Sequence, residues 1–272
     1  MPKVALWAES SKREVSYALC NDRKTLLWFA NQRAVEYHPT LFRVGEWDRP
    51  TYLVLDIDPP DTDAFALAVT ATQLARQALA GAGLAGAVKT SGAKGLHVFV
   101  PITSATTEEV AAATRALAAR AERLDPTVAT TAFVREERNG KVFLDSTRAG
   151  GATVVTAYSP RIRQGVPVSY PLAWDDLDGV NPREFTIHTA PRLVAGRDPW
   201  QELMPEPQAL PADLIAEGRE IPHRTRPGNA RKVDGGRGPN GRALTEDNGP
   251  GSCQRQHVRS RRPQPDRINS WR

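Results

Sequence analysis

Along the first two hundred residues, the spacing of apolar positions alternates between strand-like and helix-like periods, and each change marks an element. Residues 1–20 read as extended and hydrophilic, becoming amphipathic from Val15 to Cys20. Asn21-Asp22 is a helix start, and Lys24 to Val35 sets Leu27, Trp28, Asn31 and Val35 near one helical face. His38-Pro39 closes that segment, because the residue before a proline is pushed out of the helical region. Thr51 to Asp58 is apolar and rich in strand formers, which predicts a buried strand stopped by Pro59-Pro60. Asp63 to Leu79 predicts an alanine-rich helix with Phe65, Ala68, Val69, Leu74 and Leu79 available for burial. Ala87 to Ser91 and Leu96 to Ile102 flank the turn Gly92 to Gly95 and read as a hairpin. Thr107 to Leu124 predicts a second alanine-rich helix, opened by a capping box in Thr106 to Glu109. Lys141 to Leu144 reads as a strand ending at Asp145, Thr153 to Ala157 as another and Phe185 to His188 as a short one; Trp174 to Leu177 reads as a helical turn.

The pattern fades after Ile215. The last 55 residues hold 8 Gly and 6 Pro among scattered apolar positions, too little apolar surface to offset chain entropy. The expected organisation is therefore a folded domain over 1–217 and a disordered basic tail over 218–272. Charge changes this picture further. The whole chain carries +5, but the tail has 13 Lys and Arg against 5 Asp and Glu, which leaves residues 1–217 slightly acidic. The basic character that suggests a polyanionic partner thus belongs to the tail. No stretch approaches the roughly 20 apolar residues of a membrane helix. Met1 to Ser10 lacks the apolar core of a signal peptide. Cys20 and Cys253 form no metal or redox spacing, so a cytoplasmic protein is expected.

Four groups of residues carry candidate chemistry. Asp56 and Asp58 end a buried strand and share one face of it. Two adjacent carboxylates need compensation, which a magnesium or manganese ion supplies; a solvated turn before the prolines would also suit them. Ser91, Lys94 and His97 surround two glycines in a turn where backbone N–H groups, a hydroxyl, an ammonium and an imidazole can meet a phosphate. An ordinary glycine hairpin turn would look similar. Asp145 ends another strand and would complete a carboxylate trio able to hold two metal ions, or would simply cap the following turn. Arg161 and Arg163 follow Tyr158-Ser159-Pro160 and can fork onto phosphate, or decorate a solvated loop.

Taken together, these stretches resemble the polymerase domain of the bacterial DNA ligase D family, archaeo-eukaryotic primase-type polymerases of non-homologous end joining. The matching stretches are Leu26 to Asn31, Val35 to Pro39, Leu53 to Pro60, Lys89 to Ile102, Val142 to Asp145, Ala157 to Arg163, Phe185 to Thr189 and Asp198 to Trp200, over roughly residues 10–210. The resemblance implies an α+β, archaeo-eukaryotic primase-like fold, a mostly antiparallel sheet core flanked by helices. It implies two-metal nucleotidyl transfer to a primer 3′-hydroxyl at DNA ends, with Mn2+ or Mg2+ as cofactor and a nucleoside triphosphate as substrate. Asp56, Asp58 and Asp145 then match the metal-binding, catalytic carboxylates. Ser91, Lys94 and Arg161 match triphosphate ligands, with His97 supporting their turn, His38 near the incoming nucleotide and Arg138 near the same site. A partly buried structural role is the alternative for His38 and His97. DNA ends or a primer-template, a Ku protein and a separate ligase are the implied partners.

Two departures qualify the resemblance. The family carries a front portion ahead of the matched stretches, so an N-terminally shortened domain is expected. It also carries Gln and Asn where this chain has Arg148 and Ala149. Two alternatives to the polymerase reading remain at this level: an impaired remnant that binds DNA through its tail or acts as an accessory repair protein, and a metal-dependent phosphoesterase using the same carboxylates.

Overall fold

A computed structural model describes residues 2–8, 12–149 and 153–222. A six-stranded sheet forms its centre, made of β3 (Tyr52–Asp58), β4 (Ala87–Thr90), β5 (Leu96–Pro101), β6 (Ala129–Thr130), β7 (Val142–Asp145) and β8 (Pro171–Leu172). Their spatial order is β6-β7-β3-β5-β4-β8. All neighbours pair antiparallel except β6 with β7. The α+β class and the mostly antiparallel core agree with expectation.

Alternation along the strands separates structure from chemistry. Leu53, Leu55 and Ile57 of β3 are fully buried in the main core, with Val98 and Val100 of β5 and Leu144 of β7. Over that face lie α2 (Phe65–Gly81) and α3 (Thr107–Leu124), which bury alanine-rich stripes including Ala68, Ala71, Ala75, Ala113, Ala116 and Leu117. Small side chains let the helices approach closely, and each large apolar residue buried contributes about 1.5–3 kcal/mol. The opposite face carries Val54 and Phe99 in a second cluster with Leu41, Val154 and Trp200. Two residues further along the same strands, that face turns polar.

Thr106 caps α3 with a complete capping box closed by Glu109. Beyond it, past the short helices α4 (Ala190–Val194) and α5 (Pro199–Leu203), α6 (Ala212–Glu220) packs on α3, with the Gly218 Cα so close to Ala112 that a β-carbon would strike the Ala112 backbone. Glu217 ties the pair to Arg120 and Arg123.

The extended reading of residues 1–20 holds, and it is completed by pairing: β1 (Lys3–Ala8) and β2 (Arg13–Ala18) form a separate antiparallel two-stranded sheet. Several expectations need correction. Helix α1 spans only Arg23–Asn31, capped by Asp22 as expected; Arg33 takes a left-handed φ of 64°, so the chain turns before Val35. Leu26, Leu27 and Trp28 are exposed rather than packed, and Thr25 is the buried residue of α1. Thr153 to Ala157 is not a strand. Its Val154 and Thr156 N–H groups instead reach the Pro39 and Tyr37 carbonyls, which ties the loop after α1 to the edge of the site. Phe185 to His188 likewise forms only an isolated bridge at Thr186. The boundary after residue 217 falls inside α6, and the tail from 223 onward lies outside the described residues.

Candidate active site

Register builds the site. On the polar face, Lys89 of β4 pairs with His97 of β5, His97 with Asp56 of β3, and Asp56 with Asp145 of β7. Four chemical side chains from four strands therefore stand in one row. Asp58 lies two residues beyond Asp56 on the same face.

Contacts follow the row. Lys89 Nζ lies 3.0 Å from His97 Nδ1 and donates to Ser169 Oγ at 2.7 Å, and its ammonium sits over the Phe99 ring. His97 Nε2 faces Asp56 Oδ1 at 3.4 Å. Arg148 Nη2 then lies 2.5 Å from Asp56 Oδ2 and 3.1 Å from Asp145 Oδ2. The other oxygen of Asp145 accepts from Thr147 N–H and hydroxyl. Lys94 Nζ lies 3.0 Å from Asp58 and donates to the Pro59 carbonyl at 2.6 Å.

Burial sets the protonation states. Burial presses the Lys89 amine down to about 7 and Arg161 adds to that, while Asp56 opposes it. His97 is held below its ordinary value by burial first and by Lys89 second, so it is neutral at pH 7. For Asp56, burial alone would raise the carboxyl, but contacts to His97 and Arg148 outweigh it and hold the group well below the carboxylate range. Because His97 is neutral, the lasting positive charge beside Asp56 is that of Arg148. Burial works against the Arg148 charge, but Asp56 and Asp145 more than compensate and raise its pKa.

The glycine turn is shaped by the strand beneath it. Ser91 Oγ accepts from the Ala93 and Gly95 N–H groups, and Ser91 N–H donates to the Gly95 carbonyl. Gly92 has φ +65°, which favours glycine, and a β-carbon on Gly95 would overlap the Ile57 carbonyl. Arg161 Nη1 donates to the Ser91 carbonyl at 2.7 Å, pinning the turn from the other side. The resulting cleft, about 300 Å3, is lined by Asp56, Asp58, Ser91, Lys94, Arg161 and Arg163, among others.

Asp56, Asp58, Asp145, Ser91, Lys94, His97 and Arg161 thus converge on one face. His38 sits at its margin: its Nε2 lies 3.1 Å from Glu36, whose carboxylate also meets Arg161 Nε at 3.2 Å. Arg138 approaches Asp58 only to 3.7 Å. It donates to the Ala132 and Phe133 carbonyls and lies over the ring of Phe143, the register partner of Asp58, so it flanks the carboxylates at that end of their face. Three important residues carried no sequence signal of their own role. Lys89 is hidden in an apolar strand, Glu36 in a short loop, and Arg148 marked only a departure from the family pattern.

The donor chemistry fits a hard divalent cation, since three carboxylates from adjacent strand positions offer oxygen ligands. Among the described residues, however, no three His, Cys, Asp or Glu side chains form a ready-made metal cage. The carboxylates instead face the chain's own cations, Arg148 on Asp56 and Asp145 and Lys94 on Asp58.

Comparisons with known proteins identify the family. The model of the LigD primase-polymerase domain matches residues 1–200. The bifunctional non-homologous end joining protein LigD of Bacillus subtilis is 32% identical over 204 residues, covering 73% of this chain and 33% of the relative. The multifunctional LigD of Pseudomonas aeruginosa is 32% identical over 187 residues, covering 66% and 22%. The chain therefore spans about a third or less of the length of these curated relatives. Among solved structures, the polymerase domain of Mycobacterium tuberculosis ligase D in complex with DNA superposes with a TM-score of 0.66 at 26% identity, covering 75% of each chain. The match of the family model over residues 1–200, with relatives 32% identical to the chain, shows that the chain belongs to the LigD primase-polymerase domain family.

Proposed function

We propose that this chain is a DNA-repair nucleotidyltransferase that adds nucleotides to a primer 3′-hydroxyl at DNA ends during non-homologous end joining. The observation that carries the reading is the register row Lys89, His97, Asp56 and Asp145, beside a cleft lined by Lys94, Arg161 and Arg163. Asp56, Asp58 and Asp145 would hold Mn2+ or Mg2+, which when bound lowers the charge barrier between the 3′-oxygen and the triphosphate. Lys94 and Arg161 present positive charge to the phosphates, and the Ser91 turn holds Lys94 beside them. Neutral His97 orients Asp56 and is itself oriented by Lys89. His38 reaches the triphosphate side through Glu36 and Arg161, and Arg138 adds positive charge beside Asp58. In the reaction the 3′-oxygen bonds to the α-phosphorus as the bond to pyrophosphate breaks.

Primer extension by the full chain, with Mn2+ and labelled nucleoside triphosphates, tests the reading. Extension that disappears in an Asp56→Ala, Asp58→Ala variant supports it. Failure to extend where a full-length relative succeeds under the same conditions refutes it. Pyrophosphate release rather than simple hydrolysis separates transfer from a phosphoesterase.

One observation favours a second reading, an impaired relative acting as a DNA-binding or accessory repair protein: Arg148 lies between two of the three carboxylates. That protein would bind DNA through the basic residues of 218–272, with affinity falling steeply in salt, and would not need Asp56 or Asp58. Binding that survives deletion of residues 223–272 removes its support. Ku and a separate ligase fit either reading as partners.

A further inference from the structure

We infer that Arg148 is a built-in competitor for the divalent cation, its guanidinium holding Asp56 and Asp145 together so that metal loading requires the side chain to leave. The inference rests on the proposed metal centre and concerns what controls its occupancy.

One nitrogen, Arg148 Nη2, contacts Oδ2 of both carboxylates across the β3–β7 pair. Asp56 and Asp145 are two of the residues that would hold a divalent cation, and here they share one positive charge of the chain itself. The remaining oxygens are engaged elsewhere, Asp56 Oδ1 toward His97 and Asp145 Oδ1 by Thr147. The two Oδ2 atoms are thus the oxygens with no other partner named, and the guanidinium holds both. A metal ion and the Arg148 head group cannot share that position, because like charges there would repel strongly.

The guanidinium pose is also incompletely satisfied. Arg148 Nε is buried without a hydrogen-bond partner among the described residues. A buried donor left unpaired weakens the pose that holds it. Its side chain nevertheless remains about a third exposed, at 32%, which leaves it a way out to water. By contrast Lys94 keeps a carbonyl contact to Pro59 in addition to Asp58, so it is anchored independently of the carboxylate.

Competition of this kind lowers apparent metal affinity by the fraction of molecules with the arginine displaced. Removing the charge should therefore tighten Mn2+ binding by about 10-fold or more, if the closed pose outweighs the open one by that ratio. Titration of Mn2+ into the full chain without nucleotide, followed by the electron paramagnetic resonance signal of the free ion, measures this directly. Arg148→Gln and Arg148→Met remove the charge in two ways, and Arg148→Lys keeps it. Both neutral variants should bind Mn2+ more tightly than the parent, Arg148→Lys should stay close to it, and adding Asp56→Asn to either neutral variant should abolish the gain. Without metal the neutral variants should melt lower than the parent and recover more on adding Mn2+. Equal or weaker Mn2+ binding in both neutral variants, with Asp56-dependent binding in the parent, overturns the inference and leaves the metal centre standing. A gain that persists with Asp56→Asn overturns it also, since the tighter site then lies elsewhere. Absence of Mn2+ binding in every variant overturns both.

Discussion

Gly95 is the residue through which the glycine turn meets the aspartate strand, and replacing it with alanine isolates that contact. Its backbone φ is not in the left-handed region, so alanine brings no conformational penalty there. The new β-carbon would overlap the Ile57 carbonyl oxygen and stand 3.1 Å from Pro59 Cδ and 3.2 Å from the Ile57 carbonyl carbon. These neighbours are main chain and a proline ring between and beyond Asp56 and Asp58, so no flexible side chain can rotate away. Overpacking of this kind costs about 1–3 kcal/mol, and the rigid neighbours put Gly95→Ala near the upper end. Reduced freedom of the unfolded chain returns about 0.4–1 kcal/mol, which leaves roughly 2 kcal/mol of destabilisation. For a domain of this size that is a fall of about 4–8 °C in thermal midpoint. Gly81→Ala is the matched control: a β-carbon there meets nothing within 4 Å, so that variant should melt at or slightly above the parent. Calorimetry or circular dichroism of the two variants side by side reads the difference. A Gly95→Ala midpoint equal to or above the parent's would show that the turn is not pressed on the strand, and the reasoning would fail. If the turn does shift, nucleotide addition should fall more than stability alone explains, because a displacement of about 1 Å can cost on the order of 10²-fold.

Three further outcomes are expected. Gly218→Ala sets a β-carbon against the Ala112 backbone and should loosen α6 by about 1–3 kcal/mol, read as faster tryptic cleavage at Arg219. Thr106→Ala removes the α3 capping box and should cost about 1 kcal/mol in chemical denaturation at constant slope. Glu36, held down to about 2 by the Ile162 N–H first and by His38 and Arg161 besides, starts from about 4.5 in the unfolded chain. Its folded pKa is the lower one, so its contribution is present above pH 4.5 and is lost as pH falls from there toward 2. Glu36→Gln should therefore melt below the parent at pH 6, with the gap closing by pH 2.

Much of this fold is visible in local pattern because its elements are locally consistent. The apolar run of β3, the alanine stripes of α2 and α3 and the capping box all mark elements whose burial agrees with their propensity. Misreadings cluster where the chain is short or edge-like. The apolar residues of α1 looked like a core face but are exposed, because apolar spacing shows a possible face and not whether anything covers it. Thr153 to Ala157 has strand composition without a ladder, since its hydrogen bonds go to the loop at Tyr37 and Pro39.

The sequence by itself determined that Asp56 and Asp58 share a face, because successive strand residues alternate, and that Gly92 to Gly95 make a turn, because glycines lie between two apolar runs. Only the tertiary structure decided that Lys89, His97, Asp56 and Asp145 form one row, since register is set by burying Leu53, Leu55, Val98 and Leu144 together on the opposite face. Only it decided, too, that Arg148 lies between the carboxylates. A guanidinium 92 residues from Asp56 in the chain reaches it because β7 ends beside β3, and that adjacency comes from long-range strand pairing.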